Sequence, residues 1–206
     1  KFPSTSSVRQ AEDFFVESLE AWRKQNEIDR MVLAGHSMGG YLSVAYAERY
    51  PERVDQLVLI SPVGVPEESD AVLQARAEKR KNSLRYRFFH DMYQLWAPHV
   101  TVSDFLRLLP RTMGHNRVRD YFDKLKFPVD PVERAAITDY IYYNNTLPGS
   151  GEYCLSKLLK PFAFARLPLQ HRIPKLSISR CSFFYGEKDW MDSSGALLVR
   201  RLCQEE

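Results

Sequence analysis

The residues best suited to chemistry form the pattern Gly-x-Ser-x-Gly at positions 35–39, GHSMG. Gly35 and Gly39 are expected to remove side chains that would clash where a strand turns sharply into a helix. The turn would hold Ser37 in a strained backbone conformation, with its hydroxyl exposed. The backbone N–H of Met38, near the positive end of the helix, would point to where an oxyanion forms. The pattern therefore predicts a serine nucleophile for acyl chemistry.

The segments around this pattern have the composition that such a turn requires. Residues 30–35 (RMVLAG) form a short apolar run that predicts a strand buried on both faces. A helix is predicted over residues 41–50, ended by Pro51, and a second buried strand over residues 54–60. Strand, helix and strand in about 30 residues indicate a βαβ unit, and hence a parallel sheet. Gly40 is expected to allow close packing of the helix, and His36 to shape the entrance to the site.

A serine nucleophile needs an acid and a base, and in proteins where the pattern Gly-x-Ser-x-Gly forms such a turn they follow it in the order acid, then histidine. Asp189 is the best acid because it comes just after a third apolar run, residues 179–186, with Asp192 as the nearby competitor. A helix cap or a turn is the structural alternative for Asp189. The base is harder to assign, because no histidine follows Asp189. The five histidines are His36, His90, His99, His115 and His171.

The composition sets wider limits on function. The 206 residues suit one ordinary domain, and 44% hydrophobic with 27% charged residues indicate a globular protein. A net charge of +3 gives no reason to expect nucleic acid as a partner. No apolar run is long enough to span a bilayer. Cys154, Cys181 and Cys203 are interpreted as free thiols, and neither they nor the histidines have metal-ligand spacing, so no metal or organic cofactor is expected.

The chain is predicted to divide into a core and an insert. Residues 1–65 and 173–206 carry the strand patterns and are assigned to the core, and residues 66–172 to a helical cap or lid.

The first predicted helix covers residues 8–25. Its residues Val8, Ala11, Phe15, Leu19 and Trp22 share one face, and Ser6 or Ser7 caps its start. Within the insert, Arg76, Lys79, Arg80, Lys81, Arg85 and Arg87 overlap an aromatic run that ends at Trp96. This combination suits either an anionic phospholipid surface or an ordinary amphipathic helix.

Two segments resemble a known family. Residues 34–66 (AGHSMGGYLSVAYAERYPERVDQLVLISPVGVP) and 184–192 (FYGEKDWMD) are similar to α/β-hydrolase-domain proteins of the lysophospholipase and lipase-coactivator group. The similarity is greatest to fungal members, which include a mitochondrial cardiolipin deacylase and relatives described as lysophosphatidic acid acyltransferases. The resemblance implies an α/β-hydrolase fold with a helical cap, in which Ser37 is the nucleophile, Asp189 the acid and Met38 an oxyanion donor. The family's histidine has no match here, so a core incomplete at both ends is expected.

The function that this resemblance implies is hydrolysis of phospholipid acyl esters through an acyl-enzyme on Ser37. The alternatives are acyl transfer to lysophosphatidic acid and a non-catalytic, lipase-regulating role. The lipase-coactivator branch has asparagine at the nucleophile position, and the serine of this chain favours an enzyme. The expected partners are a phospholipid or lysophospholipid and a peripheral membrane surface. The expected location is intracellular, at a mitochondrion or another membrane.

Overall fold

The computed structural model describes residues 7–70, 74, 78, 101–125, 129–160, 163–189 and 191–204. The basic and aromatic side chains predicted to form a lipid surface, together with His90 and His99, lie outside these ranges. The described residues form two compact units. One contains residues 101–125 and 129–153, and the other contains the rest.

The larger unit is built on a parallel sheet. Strands β1 (Met31–His36), β2 (Val54–Ile60) and β3 (Cys181–Phe184) lie in the order β1-β2-β3. The register places His36 beside Ile60 and Ile60 beside Phe184. The carboxyl ends of all three strands therefore meet at one edge, where the predicted site residues follow. The predicted strands and parallel pairing are confirmed. The prediction that β1 is buried on both faces is wrong for the described residues, because β1 is the outer strand of this sheet and Val32 is 61% exposed.

Helices follow the predicted pattern closely in this unit. Helix α1 (Val8–Gln25) has the predicted bounds and begins at a Ser7 cap, whose side chain accepts a hydrogen bond from the Gln10 N–H. Helix α2 (Met38–Arg49) begins three residues before the predicted start, directly after Ser37.

The helices of the insert and of the carboxyl end are α3 (Val102–Leu108), α4 (Arg111–Leu125), α5 (Pro131–Thr146), α6 (Leu155–Leu158) and α7 (Ser194–Leu202).

The face that α1 buries differs from the apolar face predicted for it. Trp22 is 51% exposed, whereas Glu12, Glu20 and Arg23 are buried. The reason is a set of hydrogen bonds from α2, in which Tyr41 donates to Glu12 at 2.6 Å and Tyr46 to Glu20 at 2.7 Å. Buried carboxylates with such partners can occupy a packed interface, which hydrophobic periodicity does not reveal.

Arg172, in the segment before β3, bonds to side chains of both α1 and α2. Its guanidinium donates to Glu12 at 2.7 Å and to Glu48 at 2.6 Å, and it also lies over the Tyr41 ring. Burial opposes ionisation of Glu48, but the hydrogen bonds from Arg172 and Arg9 lower the pKa of Glu48 below its ordinary value. The network therefore holds α1, α2 and the strand β3 connection in one arrangement.

The smaller unit is helical. Helix α5 packs against both α3 and α4. The Arg107 guanidinium lies 2.7 Å from the Asp104 carboxylate and 2.5 Å from the Glu152 carboxylate. These two ion pairs connect α3 to the residues after α5. This unit lies within the predicted insert, and residues 154–172 group with the sheet. A cap that extends over the whole of residues 66–172 stays a prediction.

Candidate active site

Ser37 occupies the turn between β1 and α2 in a conformation that few serines adopt. Its φ of 55° and ψ of −119° lie in a region that costs a non-glycine residue of the order of 1–3 kcal/mol. Its hydroxyl makes no capping hydrogen bond to α2. Met38 is the first residue of that helix, so helix geometry leaves its N–H without an intrahelical acceptor. The turn thus presents a hydroxyl and a backbone donor side by side.

Lack of space for a side chain, the reason predicted for the glycines of the turn, applies to Gly35 and Gly40 but not to Gly39. A methyl group on Gly35 would overlap the Gly39 carbonyl oxygen and lie 2.5 Å from Ser43 Oγ, so Gly35 is required. A methyl group on Gly40 would lie 2.8 Å from Pro62 Cβ, which accords with the predicted close packing. The steric prediction for Gly39 is wrong. A methyl group there would meet no atom of the described chain within 4 Å, because Gly39 is exposed.

The last residue of β2 and the loop after it are bonded to the backbone of this turn. The Ser37 N–H donates to the Ile60 carbonyl at 3.0 Å, and the Val63 N–H donates to the Ser37 carbonyl at 3.2 Å. Between these two contacts lies Ser61, with a φ of 44°. Residues 60–63 therefore fix both sides of the Ser37 peptide.

Asp189 lies beyond β3 and is held at both carboxylate oxygens. Oδ2 accepts a hydrogen bond from Ser61 Oγ at 2.5 Å and a longer one from the Gly186 N–H at 3.4 Å. Oδ1 accepts from the Met191 N–H at 3.0 Å, which forms the turn that the sequence allowed as an alternative. The structure therefore links the predicted acid to the loop that also holds Ser37. Ser61 was not among the predicted site residues, and no local motif marks it.

Asp192, the competing acid, has a different environment. Its oxygens accept from the Ser194 N–H and the Ser194 hydroxyl, both at 2.8 Å, at the start of α7. Two of the described histidines also have carboxylate partners elsewhere. His115 Nε2 lies 2.6 Å from Asp139, and His171 Nε2 lies 2.9 Å from Glu67. His36 is exposed at the end of β1, directly before Ser37.

Two further side chains border the site residues. The Tyr185 hydroxyl is buried and has no hydrogen-bond partner in the described part of the chain. Burial, followed by the nearby carboxylates of Asp189 and Asp192, raises the pKa of Tyr185 to about 12, so the phenol is neutral at pH 7. Cys154 is fully buried, with its sulfur 4.0 Å from the Met38 sulfur. All three cysteines are free thiols, as predicted.

Comparison with known proteins decides the family. A family model for the alpha/beta hydrolase fold matches residues 3–197 of the chain. The chain belongs to the α/β-hydrolase family. The predicted fold is confirmed, with the parallel sheet and the strand-turn-helix around Ser37 in their expected places.

Two proteins with curated names are similar to this chain. A 1-acylglycerol-3-phosphate O-acyltransferase from Arabidopsis thaliana is 31% identical over 201 residues, which are 95% of this chain and 47% of the relative. A (lyso)-N-acylphosphatidylethanolamine lipase from Mus musculus is 32% identical over 202 residues, which are 92% of this chain and 54% of the relative. The chain thus spans about half the length of the curated relatives it matches. These names bear out the predicted lipid-related group.

Among solved structures, a bacterial membrane phospholipase A aligns with a TM-score of 0.54 at 20% identity. The alignment covers 97% of this chain and 53% of that protein. At this identity the match concerns the fold alone. None of the helices in the described ranges combines the length and apolar character that a membrane crossing requires. In the same ranges, no three histidine, cysteine or acidic side chains are grouped as metal ligands would be.

Proposed function

We propose that this chain carries the nucleophile and the acid of a serine acyl hydrolase that acts on phospholipid acyl esters. Ser37 is the nucleophile, Asp189 the acid and Met38 N–H an oxyanion donor. The observation that carries the proposal is the backbone of Ser37, whose φ of 55° is maintained in a turn between strand β1 and helix α2. Strain of this kind is concentrated at functional sites.

The chemistry follows from these assignments. A histidine takes the Ser37 proton as the oxygen attacks the ester carbonyl, and the Met38 N–H stabilises the oxyanion of the tetrahedral intermediate. The intermediate collapses to an acyl-enzyme and releases the lysophospholipid alcohol, which takes the proton back from the histidine. Water then attacks the acyl-enzyme, and the fatty acid leaves Ser37 free. Asp189 orients the histidine and stabilises its cation.

Asp189 is preferred over Asp192 on the contacts of each carboxylate. Asp192 is bonded to Ser194 at the start of α7, whereas Asp189 is bonded to Ser61, which lies between the two residues that bond the backbone of Ser37. The histidine is proposed to come from a part of the natural protein outside the described residues. His115 and His171, which have their own carboxylate partners, are not assigned this role.

The second candidate is acyl transfer to lysophosphatidic acid. Acyl transfer is supported by the relative that is named as an acyltransferase and is 31% identical. Hydrolysis is supported in the same way by the relative that is named as a lipase. The two reactions share the acyl-enzyme and differ in whether water or a lysophospholipid accepts the acyl group. A cardiolipin substrate and a mitochondrial location stay predictions, since neither is named in these relatives.

A peripheral membrane surface formed by the basic and aromatic stretch of the insert is also proposed. The test is flotation of the protein with vesicles that contain phosphatidic acid, with charge reversal at Arg76, Lys79 and Arg80. Reversal of exposed charges at Arg117, Arg119 and Lys124 on α4 is the control for net charge. Binding that is lost equally in both variants would contradict a specific role for the stretch.

The test of the catalytic proposal is labelling of the natural protein by a fluorophosphonate probe. Ser37→Ala should abolish labelling, whereas Ser18→Ala, which removes an exposed hydroxyl on α1, should not change it. Lysophosphatidic acid with and without an acyl donor then separates hydrolysis from transfer by the product formed. Absence of labelling in the unmodified protein would overturn the proposal in favour of the non-catalytic, lipase-regulating alternative.

A further inference from the structure

Ser61 lies in a position that the backbone fixes closely. It follows β2, and its N–H donates to the Phe184 carbonyl at 2.8 Å, which continues the pairing of β2 with β3 by one residue. Its φ of 44° is unfavourable for a serine, so the surrounding structure must maintain it. The consequence of this conformation is that Ser61 Oγ lies 2.5 Å from Asp189 Oδ2.

The hydrogen bond from Ser61 Oγ to Asp189 Oδ2 is short, at 2.5 Å. The Gly186 N–H, which also reaches Oδ2, lies 3.4 Å away and is a much weaker donor. A hydroxyl that donates to an ionised carboxylate at about 2.5–2.7 Å forms one of the stronger kinds of hydrogen bond in proteins. Loss of the hydroxyl would remove this bond from Oδ2 and weaken the restraint on the carboxylate plane.

The same loop also holds the nucleophile. Ile60 and Val63 bond the N–H and the carbonyl of Ser37. Within residues 60–63, Ile60 and Val63 therefore bond the backbone of the proposed nucleophile, and Ser61 bonds the carboxylate of the proposed acid. This arrangement fixes where the acid lies relative to the nucleophile across a sequence separation that no local structure could span.

We propose that Ser61 is a positioning residue, whose hydroxyl holds the Asp189 carboxylate in the orientation needed to align the catalytic histidine. This inference rests on the proposed function. Ser61 acts through Asp189, since its oxygen donates its proton to that carboxylate. A misaligned carboxylate stabilises the imidazolium less, so the effect should include the pKa that the histidine shows in catalysis.

The test uses two variants that lack the hydroxyl. Ser61→Ala keeps the unfavourable φ, and Ser61→Gly relieves it. If the hydroxyl is what matters, both should lower kcat/KM for ester hydrolysis by about 10- to 100-fold, as expected for a hydrogen bond to a charged group. Both should also move the acid limb of the pH profile to lower pH. Ser179→Ala is the matched control, because it removes a hydroxyl that donates to the Asp55 carbonyl, away from the site.

A double-mutant cycle tests whether Ser61 acts through the acid. In an Asp189→Ala background, Ser61→Ala should cause no further loss in the rate of fluorophosphonate labelling. An equal loss in both backgrounds would overturn the inference, as would activity recovered by Ser61→Gly or an unchanged pH profile. Labelling that persists in Ser37→Ala would instead overturn the proposed function itself. Labelling that requires Ser37 but not the Ser61 hydroxyl would overturn this inference alone.

Discussion

Substitution of the two outer glycines of the GHSMG turn by alanine should have opposite effects on stability. A methyl group at Gly35 would overlap a backbone carbonyl oxygen, which cannot move aside without shifting the start of α2. Overpacking of this kind costs about 1–3 kcal/mol, and the rigid neighbour places Gly35→Ala at about 3 kcal/mol. Gly39→Ala meets open space in the described chain and should gain about 0.5 kcal/mol, because alanine loses less entropy in a helix.

Urea denaturation followed by circular dichroism measures both changes. With a slope of about 2–3 kcal/mol per molar urea, Gly35→Ala should lower the midpoint by about 1 M, whereas Gly39→Ala should raise it slightly. The two variants are matched, since each adds one methyl group to the same turn. Equal destabilisation by both would refute the reasoning, and so would an unchanged midpoint in Gly35→Ala.

Three further predictions concern buried charges and thiols. Hydrogen bonds from Arg23 lower the pKa of Glu20 from 4.5 to about 2, so this carboxylate stabilises the fold above pH 4.5 and the contribution is lost as pH falls towards 2. Thermal melts of Glu20→Gln should therefore depend less on pH over that range, and an unaltered dependence would contradict this. Arg172→Met should lower the free energy of unfolding by about 2 kcal/mol in urea titrations, because the buried Glu12 would keep only the exposed Arg9 as a cationic partner; a change below about 1 kcal/mol would show that the pair is not needed. Burial raises the pKa of Cys181 to about 12, so a thiol reagent at pH 8 should modify exposed Cys203 first, as peptide mass mapping can check, and the reverse order would be inconsistent with the structure.

Local sequence was enough to predict much of the core. Strands β1 and β2 are short apolar runs with clear ends, and α1 has a serine cap and continuous helical composition, so their bounds were predicted within a residue or two. The nucleophile turn was predicted because its requirements are local: a glycine where the chain turns and a serine between a strand and a helix. Even there, the reason assigned to Gly39 was wrong, because free space around a residue depends on what packs beside it.

Contacts between distant residues were decided by the tertiary structure. Ser61 and Asp189 are 128 positions apart and meet only because β2 and β3 are neighbours in the sheet. The buried face of α1 was predicted only in part, since Ala11 is buried but Trp22 is exposed. Glu12 and Glu20 are buried because tyrosines of α2 donate to both, while the distant Arg172 bonds Glu12 and the neighbouring Arg23 bonds Glu20. Hydrophobic periodicity treats such carboxylates as exposed. Composition and spacing record which residues can perform chemistry, whereas strand order and side-chain pairing determine which of them act together.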